Sequence, residues 1–185
     1  MKIYEFTGAP NPRRVRVFLA EKGINNVPSV QVNIATGENR KPEFLKINPM
    51  GGLPVLELDD GTHIAESVAI CRYFEEIHPE PRLMGIDAKD EAIVEMWNRR
   101  MELGVLSMTA ASFRNTSDFF KGRIPQVKEY GEVARNAAVK ALEWLERAAR
   151  MHDLDLVYLK VEADLDPLRN EPRFQTIERE LKFPP

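Results

Sequence analysis

The side chains best suited to metal or redox chemistry are few in this chain. Cys71 is the single cysteine, which excludes an intrachain disulfide and a Cys-x-x-Cys redox pair, and it reads as a small apolar member of a helix. His63, His78 and His152 stand far apart without the spacing of a ligand set, and no metal is expected. The remaining candidates are polar groups where helices begin. Ser67 precedes Val68, Ile70, Cys71, Phe74 and Ile77 at helical spacing. A serine that opens a helix either caps it or helps to hold an anion at its positive terminus. Asn11 before Pro12 opens another helix, and Thr7 carries a hydroxyl on the loop leading to it. Leu53-Pro54 begins a strand at a position where proline is tolerated, and the basic run around Arg40 reads, taken alone, as solvated surface.

The elements that carry these residues follow from local pattern. Lys2 to Phe6 alternates polar and apolar side chains, and Thr7-Gly8-Ala9-Pro10 breaks it, so a strand enters a loop. A helix then runs from Asn11 to Gly23, and Val30, Val32 and Ile34 alternate as a second strand, completing a β-α-β unit with parallel strands. Pro42 to Ile47 reads as a short helix and Asn48 to Gly52 as a loop. Val55 to Leu58 and Thr62 to Ile64 form a hairpin turning at Asp59-Asp60-Gly61. The order β-α-β-α-β-β-α matches an α/β thioredoxin-like domain over residues 1–79. A proline-containing connector follows over 80–88.

The pattern then becomes helical. Ile93, Met96, Trp97, Met101, Gly104, Val105 and Met108 recur at helical spacing, and a second long helix runs from about Pro125 to Arg150 with Ala134, Ala138, Leu142 and Leu145 inward. Residues 89–150 therefore read as an all-α second domain. Apolar residues make up 43% of the 185 and charged ones 30%, which is ordinary for a globular chain able to bury a core. A formal charge of −3 gives no basic surface for nucleic acid, and the short, charge-interrupted apolar runs give no secretory signal or membrane span. A cytoplasmic protein is expected.

Ala9-Pro10-Asn11-Pro12-Arg13-Arg14-Val15-Arg16-Val17-Phe18-Leu19-Ala20-Glu21-Lys22-Gly23, Asn48-Pro49-x-Gly51-x-x-Pro54-Val55-Leu56 and Ile64-Ala65-Glu66-Ser67-x-Ala69-Ile70 occur in this order. Together they resemble the cytosolic glutathione transferases over residues 1–149, with the theta- and phi-like branch of bacteria and fungi as the nearest likeness. The resemblance implies conjugation of reduced glutathione to a small hydrophobic electrophile, by a homodimer. It implies that Pro54 is cis and that Leu53 offers its N–H and C=O to the cysteinyl part of glutathione like an added strand. It further implies that Ser67 and its helix terminus receive the γ-glutamyl carboxylate, that Glu66 pairs with the ammonium, and that Arg40 meets the glycyl carboxylate, with Asn39 or Lys41 assisting.

Catalysis meets a gap. In theta- and phi-like relatives the serine that stabilises the glutathione thiolate aligns with Ala9, which has no hydroxyl. Lowering a thiol by about two pKa units from about 8.5 takes about 2.7 kcal/mol, whereas a helix terminus supplies about 0.3–1 and at most about 2. A further donor is needed: the Thr7 hydroxyl, the Asn11 amide, or the backbone N–H groups near Asn11 and Arg13, directly or through an ordered water. Among the side chains Thr7 is preferred because Asn11 is expected to cap its helix. Met101, Val105, Met108 and Phe113 could line the electrophile pocket, although a helix–helix seam explains the same spacing.

From Met151 onward the composition shifts, with eight acidic and five basic residues. Asp155 to Val161 and Leu165 to Phe174 resemble the closing segment of bacterial tetratricopeptide-repeat proteins. A fusion or truncation near 148–151 is expected, leaving the helical domain partial and apolar faces around Trp97 and Trp144 uncovered. A chain of that origin could instead be a non-catalytic binding or interaction module.

Overall fold

The computed structural model describes residues 1–150, and for 143–150 the backbone alone. The chain divides into two compact units, Met1–Ile86 and Asp87–Pro185. The first contains β1 (Lys2–Glu5), α1 (Pro10–Glu21), β2 (Ser29–Gln31), α2 (Pro42–Leu45), β3 (Val55–Glu57), β4 (His63–Ala65) and α3 (Ser67–Ile77). Its sheet has the order β2-β1-β3-β4, with β1 and β2 parallel and the other neighbours antiparallel. This is the thioredoxin-like α/β arrangement.

One face of the sheet supplies Ile3 and Leu56 to a core that also holds Val15, Phe18, Leu19, Ile70, Cys71 and Phe74 from α1 and α3. Burying each large side chain here is worth about 1.5–3 kcal/mol. The other face gathers Val32, Phe44 and Val55, with Tyr4, Ile47 and Leu53 packed against them. Strand β2 is shorter than the alternation of Val30, Val32 and Ile34 implies, and both Val30 and Ile34 are exposed. Asn33 ends it, because its side-chain oxygen accepts from the N–H groups of Ala35 and Thr36 and turns the chain.

One helix start differs from expectation. Helix α1 begins at Pro10, so Ala9 and not Asn11 stands at the N-cap, and no side chain caps it. Of the two amides that a cap would serve, at Asn11 and Pro12, the proline removes one, and Pro10 is tolerated at the first helical position. Helix α3 is capped positionally by Glu66, and Ser67 is its first helical residue rather than its cap. Glu66 takes φ 70°, a left-handed value that a non-glycine residue adopts at a cost of about 1–3 kcal/mol.

The segment after α3 is anchored by a buried ion pair. Lys22 Nζ lies 2.6 Å from Glu75 Oε2 and donates to the carbonyls of His78 (2.7 Å) and Pro81 (2.8 Å). Glu75 Oε1 accepts from the N–H groups of Leu83 and Met84 at 2.8 and 2.9 Å. The Lys22 side chain has 0% exposure and its ammonium sits over the Phe18 ring.

The second unit contains α4 (Ala88–Met101), a π-helical turn over Glu102–Leu106, α5 (Ser107–Thr116) and α6 (Lys128–Arg150). Asp87 caps α4 by accepting from Lys89 and Asp90 N–H. Ala134, Ala138 and Leu142 are buried as the periodicity requires, while the Leu145 and Trp144 side chains lie outside the described residues. Gly131 allows α6 to approach α5: a Cβ there would meet Thr116 Cγ2 at 2.6 Å. Trp97 itself is 4% exposed, while Met96, Leu103 and Val133 of the same unit are exposed. Among the described residues no helix is long and apolar enough to cross a membrane. The resemblance of 151–185 to tetratricopeptide-repeat proteins, and His152, lie outside the described residues.

Candidate functional site

Strand register brings Thr7, Leu53, Pro54, Glu66 and Ser67 to one end of the sheet. Tyr4, Val55 and Ala65 are cross-strand partners. The chain leaving β1 toward Thr7 and Ala9, the chain entering β3 through Leu53-Pro54, and the chain leaving β4 into Glu66-Ser67 therefore emerge side by side. The Leu53–Pro54 peptide is cis. No described group bonds the Leu53 N–H or C=O, so both backbone groups remain open to an extended peptide.

Ser67 is nearly buried at the start of α3, and its hydroxyl oxygen accepts from Arg14 Nη1 at 2.7 Å. That bond leaves the Ser67 hydrogen for another acceptor. The amides of Ser67, Val68 and Ala69 are the unpaired first turn of an 11-residue helix, and together with the Ser67 hydroxyl they suit a carboxylate. No local pattern announces Arg14 as part of this site, because Ser67 lies 53 residues away from it. The Glu66 side chain is exposed beside this terminus.

The start of α1 is sparer. Pro10 and Pro12 have no N–H, Ala9 N–H donates to Phe6 O at 2.9 Å and Arg13 N–H to Ala9 O at 3.3 Å. Among the described residues the Asn11 N–H is thus the one unpaired amide in this first turn, at the positive end of the helix. Thr7 does not fit the donor role expected of it. Its hydroxyl donates to Gln31 Oε1 at 2.9 Å and so has no hydrogen left for a thiolate.

Arg40 is exposed and donates to Met50 O at 3.1 Å, while Asn39 Nδ2 donates to Gly51 O at 2.8 Å. Both side chains hold the loop before Leu53. Gly51 has φ 63°, and a Cβ there would meet Asn39 O at 2.8 Å, so glycine is required. Cys71 is 2% exposed, and burial pushes its thiol up to about 12 although Arg14 pulls the other way. It is a core residue. Of the residues expected to line an electrophile pocket, Val105 is buried within the second unit, Met101 and Met108 are half-buried, and Phe113 is exposed against Phe120. No group of ligating side chains that could hold a metal ion occurs among the described residues.

Residues 9–77 match the glutathione S-transferase N-terminal domain. The chain is 37% identical over 153 residues to glutathione S-transferase 2 of Saccharomyces cerevisiae, covering 81% of this chain and 66% of that protein. The crystal structure of Gtt2 from the same yeast superposes with a TM-score of 0.86 at 31% identity, covering 98% of this chain and 94% of that one. The chain belongs to the glutathione S-transferase family. A glutathione S-transferase domain-containing protein of Marinobacter aquaeolei gives the same TM-score at 30% identity, covering 98% and 95%. This glutathione S-transferase family member is also 39% identical over 89 residues to the maleylacetoacetate isomerase of Pseudomonas aeruginosa, 47% of this chain and 42% of that one. It spans from about two fifths to two thirds of the length of these curated relatives.

Proposed function

We propose that the protein binds reduced glutathione and conjugates it to a small hydrophobic electrophile, as a homodimer in the cytoplasm. The observation that carries this is the convergence at one end of the sheet of a Leu53 backbone unpaired among the described residues and the α3 terminus with Ser67 and Arg14. In this reading Leu53 pairs with the cysteinyl backbone, Pro54 sets that edge, Ser67 receives the γ-glutamyl carboxylate and Glu66 faces the ammonium. Arg40, which already holds the Met50 carbonyl, extends toward the glycyl carboxylate. The thiol proton passes to solvent, the Asn11 N–H donates to the sulfur of the thiolate, and the thiolate attacks the electrophile, forming a C–S bond as the leaving group departs with its bonding pair. Residues 1–79 form the binding domain, 80–88 the connector and 89–150 a partial helical domain. The theta- and phi-like branch and the foreign origin of 151–185 remain part of this reading on the motifs alone.

Calorimetric titration of glutathione tests the binding claim, with Ser67→Ala as the control. Saturable heat that weakens in Ser67→Ala supports it, and no heat from the wild-type chain refutes it. A second reading, a non-catalytic binding module, is favoured by Ala9 and by the Thr7 hydroxyl being taken by Gln31. Turnover of chlorodinitrobenzene by the wild-type chain separates the two, since binding without turnover supports the module.

A further inference from the structure

Under the loop that leads to Ala9 lies a hydrogen-bond chain that neither binding nor conjugation, as derived above, employs. Glu5, at the end of β1, is buried. Its carboxylate accepts from Arg16 Nη1 on α1 and, at 3.1 Å, from Gln31 Nε2 at the end of β2. A carboxylate can only accept, so the Gln31 amide must turn its NH2 toward Glu5 and its carbonyl outward. That carbonyl accepts from both the N–H and the hydroxyl of Thr7, at 3.1 and 2.9 Å. Arg16 Nη2 donates to the Thr7 carbonyl at 2.9 Å. The N–H, hydroxyl and C=O of Thr7 are thus all held by two side chains that Glu5 orients.

Thr7 stands two residues before the N-cap of α1. Fixing it fixes the entry of the chain into the first turn, and so the direction of the single unpaired amide, Asn11 N–H. We propose that Glu5 is a positioning residue for thiolate formation: through Gln31 and Arg16 it aims the Asn11 N–H at the sulfur. This rests on the glutathione reading above. Glu5 acts by geometry and not by its charge, because a negative charge near the sulfur opposes a thiolate and Arg16 offsets that charge at contact distance. Geometry and charge therefore predict opposite outcomes for Glu5→Gln. Loss of the charge alone lowers the thiol pKa. Loss of the aim raises it: the substituted side chain keeps its carbonyl on Arg16 and turns an NH2 toward the Gln31 NH2. Whether Gln31 swings away or turns its amide over, the Thr7 N–H loses its acceptor.

The experiment measures the thiolate absorbance of glutathione bound to the full chain as a function of pH, with the dissociation constant measured alongside. Glu5→Gln is expected to raise the midpoint by about half a unit to one unit, the share a helix terminus can contribute, with glutathione affinity near that of wild type. The double variant Glu5→Gln/Gln31→Glu restores complementarity, since the new carboxylate at 31 accepts from the amide at 5 and from Thr7, and its midpoint is expected to return. Gln31→Leu, an exposed substitution on the short edge strand, provides a variant that does not alter the buried carboxylate. It frees the Thr7 N–H and hydroxyl and leaves only Arg16 on the Thr7 carbonyl, so positioning predicts a raised midpoint and direct donation by Thr7 a lowered one. A Glu5→Gln midpoint at or below the wild-type value, a double variant no better than the single one, or a Gln31→Leu midpoint that falls overturns the proposal. A wild-type chain that binds no glutathione, or binds it without ionising it, overturns the reading beneath it before any variant is made.

Discussion

Lys22→Met should be among the most damaging substitutions in the first unit, far from any ligand. The Lys22 side chain is fully buried, 2.6 Å from Glu75, and satisfies the carbonyls of His78 and Pro81. Methionine fills a similar volume over Phe18 but leaves a buried carboxylate without its counter-charge and two carbonyls without a donor. Breaking one side of a buried pair costs about 3–5 kcal/mol, against a total stability of about 5–15 kcal/mol. With a urea slope of about 2 kcal/mol/M, the midpoint should fall by roughly 2 M. Far-ultraviolet circular dichroism follows the global change. Hydrogen exchange at the Leu83 and Met84 amides, which Glu75 holds, follows the local one. Adding Glu75→Gln removes the stranded charge and keeps an acceptor for those amides, so the double variant should regain part of the loss. A loss of under about 1 kcal/mol, the scale of a surface ion pair, or a double variant less stable than Lys22→Met, would refute the account.

Three further outcomes follow from the same geometry. Ser67→Ala removes a hydroxyl poised for a carboxylate and should weaken glutathione binding about tenfold or more by calorimetry, since a hydrogen bond to a charged group is worth about 1.5–3 kcal/mol; unchanged affinity would remove Ser67 from the site. Glu66→Gly relieves a positive φ costing about 1–3 kcal/mol and adds about 0.5–1 kcal/mol of chain entropy cost. Thermal stability should therefore rise while glutathione affinity falls, and a fall in both would contradict the strain. Glu57 is held below the usual carboxylate range by the Tyr4 hydroxyl first and Lys2 second. A depressed carboxyl stabilises the fold above its unfolded pKa and loses that contribution as pH falls through its folded value. Tyr4→Phe should accordingly move the Glu57 carbon-13 titration upward, and an unmoved midpoint would show that Tyr4 is not the cause.

The elements of the first unit were legible because their signals are local. Alternation marked β1, the acidic residues before Gly61 marked the β3–β4 turn, and helical spacing marked α3. The same rules failed where the deciding partner was distant or missing. Asn11 looked like a cap, but Pro10 already occupies the first helical position. Ser67 opens its helix as the sequence suggests, but nothing local shows that its hydroxyl accepts from Arg14. Thr7 looked like a free hydroxyl until Gln31, on a different strand, came within 2.9 Å. In the second unit, spacing across Met101 to Met108 suggested a continuous α-helix, yet the chain widens into a π turn at Glu102–Leu106.

The two helix starts at this end of the sheet differ in how many bonds they can offer a negative group. Among the described residues helix α3 presents three adjacent amides and a hydroxyl, whereas the prolines of α1 leave a single amide in its first turn. An anion whose charge is shared over two or three oxygens would leave most of them unmet at α1, while one whose charge sits on a single atom loses nothing there. The prolines thus act as a filter on anion shape, and carboxylates or phosphates present in the surroundings should compete at α3 and leave the α1 end open.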